Sequence, residues 1–427
     1  MDNKYLNAKN IKKELDDYVM GQESGKRSIA MAIAQHLLQS TMPKSSDDRI
    51  QTDNVLVFGP TGCGKTETWR VLHKLETKFE CPVMMFNALD YSGTGSWHNT
   101  IPISNILNDI AKESVEIYHK LYGDYEEIET QLEEITKIAN HAIIFIDEID
   151  KIAIAGTGNG RLMLEEYQNV LLKVIEGNLY DVQCQLQSRQ IELLFDDDEK
   201  NIKTYTIKLD TSNMMFIFLG AFTGIQNYTV FRLMRETTNK TKKKSAHKYY
   251  QDTHVGFLSK PEEPEKITKK VPVEEIIPSQ EDVISYGFKR ELVGRIAVRT
   301  VYKPLSEDAL VDIMLHSKTS AYKEYQRRFQ QNGFELKCSR SALREIAKTA
   351  RQRRTGARGL LTIFSELLSP TLYELSGDIR PIRCLLRGQE IQENKSPLLH
   401  DRTEHIIRME ELVAKQVKKK LKFKKIP

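Results

Sequence analysis

The stretch "VLVFGPTGCGKTET" (residues 55–68) decides the fold. Its first four residues, Val55-Leu56-Val57-Phe58, are all apolar, as expected of a strand buried on both faces of a parallel sheet. The next eight, Gly59-Pro60-Thr61-Gly62-Cys63-Gly64-Lys65-Thr66, fit GxxxxGK[ST] in full, and a helix is expected through Lys74. Glycines let backbone N–H groups turn inward around phosphate oxygens, and the helix adds its positive N-terminal end. Lys65 would reach the β- and γ-phosphates, and the Thr66 hydroxyl would ligate Mg²⁺. The loop alone does not say what happens to the nucleotide.

A second stretch does. "HAIIFIDEID" (141–150) is an apolar strand ending in carboxylates. Asp147 is placed to hold the Mg²⁺ shell, in part through water, and Glu148 to polarise an attacking water. The bland alternative is a salt-bridged strand end, because unpaired charge beside a core must be compensated. Upstream of it stands a phosphate loop, so the pair argues for ATP hydrolysis rather than transfer to a second substrate.

Around these two stretches the chain alternates strands and helices. "NAKNIKKELDDYVMGQESGKRSIAMAIAQHLLQS" (7–40) reads as two helices around "YVMGQ", with Ile29, Ile33, Leu37 and Leu38 forming one apolar stripe. "CPVMMFNAL" (81–89) and "MMFIFLGAF" (214–222) are further buried strands, residues 101–140 are helical with an acidic face, and "LEEYQNVLLKVIEG" (164–177) is an amphipathic helix with a glycine stop. The fold class is therefore α/β, a parallel sheet covered by helices. Residues 226–280 break the rhythm: they are charged and aperiodic, and loops of that length are functional or disordered. Beyond them lies a second, mostly helical α+β domain, with one helix expected over 306–333, a short strand at "GFELKCS", and helices over 341–350 and 359–375.

Composition narrows the class. A length of 427 residues suggests more than one core. The net charge of +4 is too small to argue for nucleic acid. Positive charge gathers in the tail "KQVKKKLKFKKIP" (415–427), either a solvated terminus or a polyanion contact. No apolar run approaches the ~20 residues of a membrane span. The first 19 residues carry no hydrophobic signal, and the five scattered cysteines include no CxxC, so a disulfide framework and a structural zinc are not expected. These features fit a reducing cytoplasm.

In the order of its motifs the chain resembles the ClpX-like AAA+ protein unfoldases of the Clp/HslU family, over most of residues 8–375. "LDDYVMGQ" (15–22) resembles the family's nucleotide-contacting box, which implies that Val19 and Met20 flank the adenine. "GPTGCGKT", with Glu67 after it, and "IIFIDEIDKI" are similar to its ATP motifs. "EDVISYGFKRELVGRIAV" (281–298) resembles the stretch that carries the arginine finger, here Arg295, and "RRTGARGL" (353–360) the sensor-2 motif, here Arg358. The resemblance implies that Arg295 acts on a neighbour's nucleotide and Arg358 on its own, both as fixed forks of donors for γ-phosphate charge. It further implies a homohexameric ring, nucleotide held between two domains, and protein substrates drawn through a central pore.

The chain departs from that family in several places. "DYSGTGSWHN" (90–99) replaces the aromatic pore loop; Trp97 is the preferred substrate-gripping ring and Tyr91 the second, or both pack at a subunit contact. A shortened second pore loop leaves Arg161 as a channel-facing candidate. Val255-Gly256-Phe257 stands where the family carries a tripeptide that docks on a ClpP-like peptidase, or is incidental. "FDDDEKNIK" (195–203) replaces a basic substrate-gathering loop, no polar sensor-1 residue is evident near Leu219, and no zinc domain precedes the ATPase. Cys63 reads as a small filler, with alkylation sensitivity as a corollary of a thiol beside phosphate. The expected domains are 1–300, the ATP-binding large domain; 301–410, the small domain; and 411–427, the basic tail. The expected function is ATP-dependent unfolding and translocation, with delivery to a peptidase. Its rivals are a remodelling chaperone without a peptidase, a nucleic-acid-associated AAA+ machine, and a non-hydrolysing scaffold.

Overall fold

The structure is a computed structural model that describes residues 6–41, 52–92, 101–123, 127–154, 159–187, 202–233, 276–376, 382–400 and 406–407. It divides into two compact units. The first comprises residues 1–13, 22–60 and 68–303, and the second residues 14–21, 61–67 and 304–427.

The first unit is built on a five-stranded sheet. Its strands are β1 (Val55–Phe58), β2 (Val83–Asn87), β3 (Ile143–Asp147), β4 (Met215–Gly220) and β5 (Val298–Val301), in the order β2-β3-β4-β1-β5. Every pairing is parallel. The apolar runs explain this: all four residues of β1 and all six of β4 are buried, so neither face can meet water. Each such side chain contributes about 1.5–3 kcal/mol over the exposed state. Helices Ile103–Tyr122, Ile128–Asn140 and Asn159–Ile175 supply Ile110, Ile135 and Val174 to the main core.

The N-terminal segment forms helices Ala8–Asp16 and Glu23–Ser40. Ile29, Ile33 and Leu37 are fully buried, but Leu38 is 42% exposed. Leu38 lies about 100° round the helix from Leu37, and the buried face turns instead through Ala30, Ala34 and His36. Residues 101–140 are two helices rather than one stretch. An antiparallel hairpin, Leu179–Gln187 with Ile202–Asp210, borders residues 188–201.

The Asp282 carboxylate joins the two described ends of the long charged region. Arg232 donates to it through Nε at 3.0 Å and Nη2 at 3.1 Å, Thr229 through its hydroxyl at 3.1 Å, and the Ser279 N–H at 2.9 Å. Burial by itself pushes this acid up, but these donors outweigh it and hold the Asp282 carboxyl below its usual range.

The second unit packs helices Glu307–His316, Ala321–Gln331, Arg340–Gln352 and Arg358–Leu375 around Leu310, Phe329, Ile346 and Phe364. The helix expected over 306–333 is broken at "SKTS" (317–320), where Ser320 caps a new helix by accepting from the Lys323 N–H at 3.3 Å. A four-stranded sheet completes the unit, with Glu335–Cys338 at one edge, then Arg383–Leu386, Leu398–His400 and Ile406–Ile407.

Candidate nucleotide-hydrolysis site

In the first unit the chemistry collects at the carboxyl ends of the strands, where ligands of open parallel sheets bind. The register sets Asn87 of β2 opposite Asp147 of β3, and Phe58 of β1 opposite Gly220 of β4. The Gly59 N–H donates to the Gly220 carbonyl at 3.1 Å, so the start of the glycine loop is tied to β4.

Asp147 and Glu148 form one turn. Asp147 Oδ1 accepts the Glu148 N–H at 2.8 Å, and Glu148 takes the left-handed backbone conformation, with φ at 54°. That conformation is uncommon for a residue with a side chain and turns the carboxylate off the strand direction. Asn87 Nδ2 donates to Glu148 Oε2 at 3.2 Å, and Asn87 Oδ1 accepts the Leu89 N–H at 3.0 Å. Asn87 is thus a contact of the proposed base that sequence reasoning missed. Its signal was a polar residue ending an apolar strand.

Asp150 was missed as well. Its two oxygens accept the Ala221 and Phe222 N–H groups at 3.2 Å each, fixing the turn after β4, where Phe222 has φ at 48°. The region around Leu219 is therefore organised by a carboxylate from β3's side of the sheet. Arg295 follows the short helix Arg290–Gly294, and its Nη2 meets Glu176 Oε1 at 3.1 Å. Arg161 is exposed and pairs with Glu165 at 2.9 Å, one helical turn on.

In the second unit the glycine loop packs against the "TGAR" turn. The Ala357 N–H donates to the Gly62 carbonyl at 3.0 Å. Gly62 has φ at +78°, and a Cβ there would lie 2.3 Å from the Thr355 carbonyl oxygen; Gly356, with φ at +57°, faces it. Arg358 opens helix Arg358–Leu375 directly after this contact. Val19 is buried and its Cγ1 lies 3.1 Å from where a Cβ on Gly64 would stand, so the structure brings the 15–22 box to the loop; Met20 is half-buried. Glu67 Oε1 accepts from the Thr319 hydroxyl at 3.1 Å, and Lys318 Nζ meets Asp17 Oδ2 at 2.6 Å.

Lys65 Nζ lies 3.9 Å from Cys63 Sγ. Cys63 is buried, and burial pushes its thiol up despite the lysine. The expected sensitivity to alkylation is therefore corrected: the nucleophile is the thiolate, which this site disfavours. The filler role fits the packing. Pro60, Thr61 and Thr66 complete the loop, with Thr66 in the first turn of helix Lys65–His73. A hydroxyl and a carboxylate, as on Thr66 and Asp147, are hard oxygen donors of the kind Mg²⁺ takes.

Four expected functional residues cannot be placed. Trp97 and Val255-Gly256-Phe257 lie outside the described residues, as does the tail 411–427. Tyr91 is placed by its backbone alone, which pairs parallel with Ile101.

Residues 50–299 match the family described as AAA domain (Cdc48 subfamily), and residues 305–383 the C-terminal, D2-small domain of ClpB protein. The chain is 28% identical over 371 residues to the ATP-dependent Clp protease ATP-binding subunit ClpX of Treponema denticola, covering 85% of this chain and 76% of that one. Among the described residues no helix is long and apolar enough to cross a membrane.

Proposed function

Since this chain belongs to the AAA ATPase family, we propose that it uses ATP hydrolysis to unfold and translocate protein substrates as a ClpX-like homohexameric ring. It is an ATPase, ClpX-like over most of its length. The observation that carries the mechanism is the turn at the end of β3, where Asp147 fixes the backbone and Asn87 holds the Glu148 carboxylate.

In the proposed reaction the loop N–H groups of Gly62 and Gly64 and the Lys65 ammonium bind the phosphates. Thr66 and Asp147 would hold Mg²⁺, which when bound neutralises charge on the β- and γ-phosphate oxygens. Glu148 accepts the proton of the attacking water, Arg358 binds the γ-phosphate from its own chain, and Arg295 leaves Glu176 to do so on the neighbour's nucleotide. Val19 and Met20 take the adenine. Trp97, Tyr91 and Arg161 are proposed to grip substrate, and Val255-Gly256-Phe257 to dock on a ClpP-like peptidase.

The deciding experiment is Glu148→Gln. It is expected to lower ATP hydrolysis by about 10²- to 10⁴-fold while nucleotide binding persists, and the ATP-loaded variant should retain protein substrates in a pull-down. Hydrolysis at the parental rate would remove Glu148 from its role. Peptidase-coupled degradation unchanged by Phe257→Ala would remove the docking assignment.

A further inference from the structure

Asn54, the residue before β1, is 4% exposed and is bonded to two other strands and to the end of a helix. Its Oδ1 accepts the Phe216 N–H of β4 at 2.9 Å. Its Nδ2 donates to the Arg295 carbonyl at 3.0 Å. Its own carbonyl accepts the Val298 N–H at 3.1 Å, where β5 begins. The segment from Arg295 to Val298 is thus pinned to one residue at both ends. Arg295 sits at the C-terminus of helix Arg290–Gly294, where a carbonyl without an intrahelical partner needs a donor, and the Asn54 amide supplies it.

Only a short amide does this. Aspartate would keep the acceptor for Phe216 and lose the donor to Arg295; leucine, of similar shape, would lose both. Among the described residues the Arg295 side chain pairs with Glu176, an exposed pair of little intrinsic strength, so its guanidinium is directed chiefly through its backbone. We infer that Asn54 is the positioning residue of the Arg295 finger, holding the 295–298 turn against the strand that leads into the same chain's glycine loop. Asn54 therefore serves the neighbouring subunit's reaction rather than its own. This rests on the proposed shared site.

The test uses full-length protein and subunit mixing. Asn54→Asp is expected to lower kcat for ATP hydrolysis by about 10- to 100-fold, as for a misplaced catalytic group, with nucleotide affinity near that of the parent and a thermal midpoint lowered by the carboxylate left facing the Arg295 carbonyl. Asn54→Ala, which loses both bonds, is the second variant. Each is then mixed in equal amounts with Glu148→Gln subunits, which are inactive but carry an intact finger. Activity per intact site should rise several-fold, because half the fingers facing the Asn54-variant sites are now sound. Arg295→Ala mixed in the same way is the reference. If Arg295→Ala recovers and Asn54→Asp and Asn54→Ala do not, Asn54 acts in its own subunit and the inference is overturned. If Arg295→Ala also fails to recover, the shared site itself falls, and the inference with it.

Discussion

The side-chain amide of Asn87 and the carboxylate of Glu148 are joined by a hydrogen bond of 3.2 Å between neighbouring parallel strands. An N–H directed at a carboxylate fixes where its oxygens point. Asn87→Asp replaces that donor with an acceptor of like charge, which turns the Glu148 carboxylate away from its place. A misplaced base should lower kcat for ATP hydrolysis by about 10- to 100-fold with nucleotide affinity little changed. An unchanged kcat would show that the two side chains do not communicate.

The contact between Gly62 and the 355–357 turn leaves no room for a side chain. Gly62→Ala would force a Cβ to within 2.3 Å of the Thr355 carbonyl at a φ that disfavours alanine. The expected cost is about 1–3 kcal/mol for the backbone strain alone. Thermal unfolding should register it as a lowered midpoint, and nucleotide affinity should drop with it.

Glu76, which opens the short helix Glu76–Phe79, is buried with His73 Nδ1 3.0 Å from its Oε2. Burial is the largest cause raising its carboxyl to about 7; His73 opposes this and the nearby Glu113 adds to it, while Lys120 pulls it down. A carboxyl raised on folding binds its proton more tightly in the native state. Its contribution is full below the unfolded value of 4.5 and is lost as pH rises through about 7. Unfolding free energy should therefore decline between those limits, and Glu76→Gln should flatten the decline. Equal slopes for parent and variant in denaturant titrations at several pH values would contradict this.

Cys63 should resist iodoacetamide in the native protein and react on unfolding, since burial both hides the thiol and disfavours the thiolate. Mass spectrometry of briefly labelled protein gives the answer. Rapid native labelling at Cys63 would mean that the loop opens far more often than its packing implies.

The frame of the first unit was legible because its signals are local. Val55–Phe58, "GPTGCGKT" and "IIFIDEID" each declare a buried strand or a turn by composition alone, and their order carried the family resemblance. Asn54, Asn87 and Asp150 were not legible. Each is a single polar residue whose importance arises from partners 162, 61 and 71 positions away in sequence, and no periodicity records such a bond. Leu38 shows the opposite failure: the stripe was right for three residues, and one step round the helix put the fourth in water. The break at 317–320 hides inside an otherwise helical pattern because Ser320 reads equally well as a helix interior and as a cap. In the second unit "GFELKCS" announced the strand Glu335–Cys338, but Arg383–Leu386, Leu398–His400 and Ile406–Ile407 are too short for alternation to show.

The Arg232–Asp282 pair has a consequence for how this chain can change over generations. By holding the two ends together, it makes the sheet indifferent to how much polypeptide runs between 233 and 276. Doubling the length of a closed loop costs only about 0.6 kcal/mol in chain entropy. Insertions, deletions and wholesale rewriting are therefore thermodynamically cheap in that interval, while the strands that carry Asp147, Glu148 and Arg295 stay in register. The clamp partitions the molecule into a part under tight geometric selection and a part free to acquire new recognition sequences.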